Sequence, residues 1–204
     1  MPKQTFFNLP EKKRQHLINA AEEEFARVPL HEASIANIVK SAGIPRGSFY
    51  QYFENKEDIY FYLLKEETDA RRIKFFQKLE EHDGDIINAV TDFYYEFLVE
   101  LPDDREFDFL KNALLHVTHK IEDAFTAAFK GKHDTGFFNE VIEMIDKDRL
   151  NTKNDTEIYH MLQIVIAVVF RNFVEKFSKE LSDDEAIEHF TIEMNLLKNG
   201  LYKN

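Results

Sequence analysis

The chain has 204 residues, a formal net charge of -12, 20 Phe, and neither Cys nor Trp. Its 44% hydrophobic and 31% charged residues suit a globular chain with ample core material rather than a disordered one. The lack of Cys excludes disulfides, thiolate metal sites and a Cys nucleophile, and it fits a reducing cytosol. The first fifteen residues, MPKQTFFNLPEKKRQ, contain no apolar signal-peptide core. The longest apolar run, Ile164–Phe170, falls well short of the ~20 residues of a membrane span. The expectation is a soluble, cytoplasmic protein with no membrane partner. Charge is unevenly spread: residues 1–56 carry 8 Lys/Arg against 6 Asp/Glu, and residues 57–204 carry 18 against 32. A weakly basic end on an acidic chain leaves one surface able to dock on a polyanion.

In chain order, Pro10-Glu11 opens a helical pattern in which Leu17, Ile18, Ala21 and Phe25 share a face, and Pro29 ends it near Arg27. Ser34 is an N-cap residue for a helix of about two turns that stops at Gly43, a residue suited to the position after a helix end. Ile44-Pro45-Arg46-Gly47 turns the chain. Ser48 to Phe53 reads as another short helix, with Phe49 and Phe53 inward as an i, i+4 pair and Tyr50, Gln51 and Tyr52 on its outer faces. Asn55, with Asp58 three residues on, caps a long helix from Lys56 to about His82, which Asp83-Gly84-Asp85 stops. Helices are expected at about 86–100, 104–130 (broken), 135–149, 155–179 and 183–199, with no strand, repeat or low-complexity tract. The segment MLQIVIAVVFRNFVEKF within 155–179 is apolar around much of its circumference, which implies burial on more than one side.

The helices at 34–42 and 46–53, joined by a Gly-containing turn, have the helix-turn-helix pattern, in which the second helix enters the major groove. The residue types fit that task. Arg46 reaches a guanine edge or a phosphate, Gly47 permits close backbone approach, and Ser48 and Gln51 hydrogen-bond to bases. Tyr50 and Tyr52 supply hydroxyls for phosphates and rings for thymine methyls. Lys56 at the start of its helix forms a phosphate site, with Ser34 and Lys40 on the other side.

Residues 10–64 resemble the DNA-binding domain of the TetR family of bacterial transcriptional regulators. The resemblance is carried by Leu17-Ile18-Asn19-Ala20-Ala21 with Phe25, Ser34-Ile35-Ala36-Asn37-Ile38-Val39, Ala42-Gly43-Ile44, Gly47-Ser48-Phe49-Tyr50-Gln51-Tyr52-Phe53 and Asn55-Lys56-Glu57-Asp58-Ile59. It covers the first quarter to third of the chain. It implies an all-α fold of about nine helices: an N-terminal three-helix helix-turn-helix domain (1–55) and a larger ligand-binding and dimerisation domain (56–204). It further implies a homodimer on a palindromic double-stranded DNA operator, with a small molecule that releases it, acting as a repressor. By position, Arg46, Gly47, Ser48, Tyr50, Gln51 and Tyr52 become recognition-helix contacts, and Ser34, Lys40 and Lys56 phosphate contacts. The last two helices become the dimer bundle, with Val165, Val169, Phe173, Leu196 and Leu197 at the interface. Two departures are Pro45, which suits a helix's first position but removes a polar contact, and His31-Glu32 before the second helix.

The effector end rests on composition. Phe93, Phe97, Leu114, Val117, Phe125, Phe138, Ile166 and Phe170 are the candidate pocket residues, apolar and aromatic enough for a flat hydrophobic effector or an acyl chain; each Phe also suits plain core filling. His116 and His119 share a helix face, which leaves a haem- or metal-responsive regulator as an alternative, with a third ligand such as His160 drawn from another helix. No resident cofactor is expected. No phosphate-cradling Gly-rich loop and no nucleophile elbow is present, so the chain does not read as an enzyme. A reading of a different class is a helical ligand-binding or interaction module that does not bind DNA.

Overall fold

A computed structural model describes residues 1–99, 105–116 and 136–202, with the side chains of 105–106 and 136–138 left out. Every regular element among them is helical: α1 (Gln4–Phe7), α2 (Glu11–Arg27), α3 (Ile35–Ser41), α4 (Arg46–Tyr52), α5 (Lys56–Glu81), α6 (Ile86–Val99), α7 (Arg105–Leu115), α8 (Gly136–Met144), a 3-10 turn (Lys147–Arg149), α9 (Asp155–Ser178) and α10 (Asp183–Leu201). The helix expected over 135–149 therefore ends at Met144 and gives way to the 3-10 turn. Of the helix expected over 104–130, the part beyond 116 lies outside the described residues. The four-residue α1 was not anticipated.

The caps follow local chemistry. Ser34 Oγ accepts the Ala36 amide, and Asn55 Oδ1 accepts the Asp58 amide at 2.9 Å. Ser182 and Glu185 close a reciprocal capping box at the start of α10. Gly43 has φ +66°, and the Ile44 amide returns to the Val39 carbonyl at 3.0 Å, closing α3 in a Schellman turn. Gly84 (φ +78°) is required twice over: a Cβ there would lie 2.5 Å from both the Met144 carbonyl oxygen and the Asp146 amide nitrogen.

The chain forms two compact units. The first is Met1–Asp69 with Asp103–Ala124, and the second is Ala70–Pro102 with Phe125–Asn204. This grouping differs from a boundary at 55/56: the first fourteen residues of α5 and all of α7 join the first unit. The reason is burial. α7 packs along α2, Phe109 lies against Phe25 and Tyr60, and the Asn112 amide donates to the Phe25 and Ala26 carbonyls at 3.0 and 2.6 Å, satisfying the end of α2. Leu17, Phe25, Ile38, Phe49, Phe53, Ile59 and Leu64 complete this core.

In the second unit α10 packs on α6 and α9, and α8 packs on α9. Its core is aromatic: Tyr94 stacks on Phe190 with ring centroids 4.0 Å apart and lies 4.7 Å from Phe173, which meets Phe97 edge-on. Helix α9 is long and apolar enough to cross a membrane by length and composition alone, in contrast to the expectation from its longest apolar run. One side of it is used within the fold, where Ile158, Met161, Leu162, Val165 and Phe173 are buried, while Ile164 stays exposed.

Candidate DNA-binding surface and effector region

Glu24 is the pivot of the helix-turn-helix. Its carboxylate is buried and accepts from the Ser34 amide (2.8 Å), the Asn37 side chain (3.0 Å) and the Arg27 guanidinium (2.6 Å). Burial pushes this carboxyl up, but the bonds from Arg27, Ser34 and Asn37 outweigh it and hold it below the usual carboxylate range. One buried charge thus ties α2 to the start of α3. The i, i+4 pair Phe49 and Phe53 is fully buried, which fixes the rotation of α4 and turns its other faces outward.

On that outward surface Arg46, Gly47, Tyr50 and Gln51 are exposed, while Ser48 and Tyr52 are half-buried. Arg46 Nη2 donates to the Tyr50 hydroxyl at 3.3 Å, so two of the expected contact side chains hold each other in the free protein. Apart from its chain neighbours and the backbone of its own helix, no atom lies within 4 Å of a Cβ built on Gly47, so that side of the helix is open. Lys40 is exposed on α3. Ser34 and Lys56 have local duties as well. The Ser34 hydroxyl caps α3, and the Lys56 ammonium donates to the His31 and Ala33 carbonyls at 3.0 and 2.9 Å, closing the α2–α3 loop onto the start of α5. An ammonium has three donors, so one remains for a phosphate.

Of the expected effector residues, Phe97 is buried, and Phe93, Ile166 and Phe170 are half-buried in the second unit. Phe93 stacks edge-on with Phe75 at 6.0 Å, and the Arg71 guanidinium lies 5.5 Å from the Phe97 ring centre. Leu114 belongs to the first unit, where it is buried. Val117, Phe125 and His119 lie outside the described residues, as does the side chain of Phe138. His116 is exposed, and its ring centre is 5.8 Å from that of His31. Among the described residues no group of three or more His, Asp or Glu side chains is gathered to hold a metal ion.

The residues expected at a dimer interface fall into two sets. Val165 is 1% exposed and Phe173 is packed against Tyr94 and Phe97, so both are taken up by the protomer's own core. Val169 and Leu197 are half-buried, and Leu196 is 67% exposed. Ile164 on α9 and Ile192 on α10 are exposed beside them in the sequence pattern, at i−5 from Val169 and i−4 from Leu196. Period alone does not tell which side of an all-round apolar helix meets its own core, so the exposure of Ile164 and Ile192 was not readable from the spacing.

Comparison with known proteins bears on both parts of the chain. A family model described as "Bacterial regulatory proteins, tetR family" matches residues 17–63, and one described as "Tetracyclin repressor-like, C-terminal domain" matches residues 85–201. The "Fatty acid metabolism regulator protein" of Bacillus subtilis is 38% identical over 69 residues, and that match spans 34% of each chain. An uncharacterised HTH-type transcriptional regulator of the same organism is 43% identical over 51 residues, 25% of this chain and 26% of the relative. These matches span about a third of the relatives' length or less. Solved structures extend the likeness of fold over nearly the whole chain. The fatty acid degradation regulator FadR of Bacillus halodurans superposes with a TM-score of 0.63 at 18% identity, covering 92% of this chain and 98% of that one. The Bacillus subtilis FadR, solved in complex with stearoyl-CoA, gives 0.62 at 20% identity, covering 91% and 98%.

Proposed function

The chain belongs to the TetR family of bacterial transcriptional regulators, and on that premise we propose that it binds a palindromic operator as a homodimer and is released by a small hydrophobic effector. It is a regulator and not an enzyme. The observation that carries the reading is the outward face of α4, where Arg46, Gly47, Tyr50 and Gln51 are exposed around a backbone left open at Gly47. Arg46 and Gln51 read base edges, Tyr50 and Lys40 take phosphates, and Lys56 adds a phosphate contact from the start of α5. Two such helices in a dimer meet successive major grooves about 34–36 Å apart.

Dimerisation uses α9 and α10, through Ile164, Ile192, Leu196 and the half-buried Val169 and Leu197. Large apolar side chains left on the surface of two adjacent helices support this reading. The effector binds in the second unit among Phe93, Phe97, Ile166 and Phe170, whose aromatic and aliphatic character suits an acyl chain or a flat apolar ring. A long-chain acyl-CoA, the class of ligand bound by the Bacillus subtilis structural relative, is the first effector to test. Chain connectivity offers the route of coupling: α5 runs from the first unit into the second, and α7 returns to brace α2. An effector that favours a spacing of the recognition helices unlike that of the operator lowers affinity, and a coupling of ~1–3 kcal/mol is enough. Repression and a cytoplasmic location follow from this role.

The test is selection of bound duplexes from a random library, followed by titration of the winner at two salt concentrations. A two-fold symmetric site with steep salt dependence, weakened by added stearoyl-CoA, supports the whole reading. Absence of any enriched site overturns it and leaves an interaction module.

A further inference from the structure

The recognition helix α4 has only seven residues, a length that is marginal for a helix without support from packing or bonds to other segments. The last four carbonyls of any helix lack intrahelical partners. In α4 these belong to Phe49, Tyr50, Gln51 and Tyr52. The Phe49 carbonyl is taken by the Phe53 amide at 2.9 Å. The other three are all taken by the segment that precedes α2. The Lys3 ammonium donates to the Tyr50 carbonyl at 3.0 Å, the Thr5 hydroxyl donates to the Gln51 carbonyl, and the Lys3 amide donates to the Tyr52 carbonyl at 2.8 Å. Phe6 anchors the segment: it is fully buried, 4.9 Å from the Phe53 ring and 5.3 Å from the Tyr62 ring. The sequence match to the tetR-family model begins only at residue 17, so this segment lies outside the matched region.

We propose that residues 3–7 are part of the DNA-reading unit: they clamp the last turn of α4 and thereby hold Tyr50 and Gln51 in the geometry that meets DNA. Lys3, Thr5 and Phe6 are positioning residues. The clamp also places a cation at the C-terminal end of the recognition helix, where a positive charge is favourable. The reading rests on α4 being the recognition helix, but its mechanical part does not depend on DNA.

The experiment uses the full chain and three variants: Thr5→Val, which keeps the shape and removes the hydroxyl; Thr5→Ser, which restores it; and Lys3→Met. Two readouts are taken: amide hydrogen exchange at residues 50–53, against that of α9 as an internal reference, and affinity for the selected duplex at two salt concentrations. Thr5→Val and Lys3→Met are expected to speed exchange at 50–53 and leave α9 unchanged. Each is expected to weaken operator binding roughly two- to tenfold, the worth of one hydrogen bond, with the salt slope unaltered and Thr5→Ser close to the parent chain. Unchanged exchange in Thr5→Val overturns the clamp. So does a Lys3→Met loss that appears only as a shallower salt slope, because Lys3 would then be a phosphate contact instead. If the parent chain binds no duplex, the regulator reading fails, and the exchange data alone still decide whether the clamp exists.

Discussion

The Tyr202 hydroxyl donates to Oδ1 of Asp85 at 2.5 Å, joining the end of α10 to the start of α6 across 117 positions of sequence. Asp85 is only 3% exposed, and it also accepts from the Asn88 amide (3.0 Å), the Lys198 ammonium (3.1 Å) and the Arg149 guanidinium (3.3 Å). Burial pushes this carboxyl up, but the bonds from Tyr202, Asn88 and Lys198 prevail and hold it below the ordinary carboxylate range. Replacing Tyr202 by Phe is expected to lower the stability of the second unit by about 1.5–3 kcal/mol, the range for a hydrogen bond to a charged group. Asp85→Asn should cost roughly 2–4 kcal/mol, at the lower end for a broken buried pair because Arg149 and Lys198 reach solvent. Urea unfolding of each variant measures both.

The same carboxylate gives a pH dependence of defined sign. Because its folded value is depressed, the stability it contributes is present above the unfolded carboxyl value of about 3.9 and is lost as pH falls through the folded value. The gap in urea midpoint between the parent chain and Asp85→Asn is therefore expected to be widest at neutral pH and to close in acid. A gap that widens on acidification contradicts the assignment.

Tyr94 makes the opposite case. Its ring is stacked on Phe190, yet its buried hydroxyl has no hydrogen-bond partner among the described residues, and burial pushes the phenol up. Tyr94→Phe removes an unsatisfied group and keeps the ring. A gain in stability of about 1 kcal/mol is expected, read as a higher urea midpoint at unchanged slope.

Gly47 separates folding from DNA binding. A side chain there meets nothing in the protein, and alanine is favoured over glycine in a helix by about 0.5–1 kcal/mol. Gly47→Ala is therefore expected to fold at least as well as the parent chain and to bind the selected duplex about tenfold more weakly, the loss of ~1.4 kcal/mol of groove contact. Thermal melting and a titration of the same preparation test the two halves together.

The two faces of the terminal helices predict different failures. Leu196→Glu places a charge on the exposed side of α10 and should yield a folded monomer with native helix content, seen by sedimentation and circular dichroism. Val165→Glu buries an unpaired charge and should lose several kcal/mol and with it the fold of the second unit. A dimeric Leu196→Glu would show that subunits associate through another surface.

Much of the fold was legible because its signals are local. Ser34, Gly43, Pro45 and Asn55 bound their helices through chemistry that reaches one to four residues along the chain, and the i, i+4 spacing of Phe49 and Phe53 orients α4 in the same way. What stayed hidden acts at long range. Lys56 looked like a free cation at a helix start, and its engagement with the His31 and Ala33 carbonyls becomes visible only when residues 23 to 25 positions apart are brought together. α1 is too short to carry a periodic signal, so neither its existence nor its grip on α4 was readable.

By itself, then, the sequence determined the helix-turn-helix, its place near the start of the chain and which side chains α4 turns outward, because capping, turn and pair preferences depend on near neighbours. Only the tertiary structure decided which apolar side chains are buried within the protomer and which stay exposed, as with Val165 and Leu196. It alone brought α7 against α2 and Tyr202 against Asp85. The physical reason is that burial and ion pairing depend on distance in space, and an apolar or charged residue carries no mark of the distant neighbour that will cover or neutralise it.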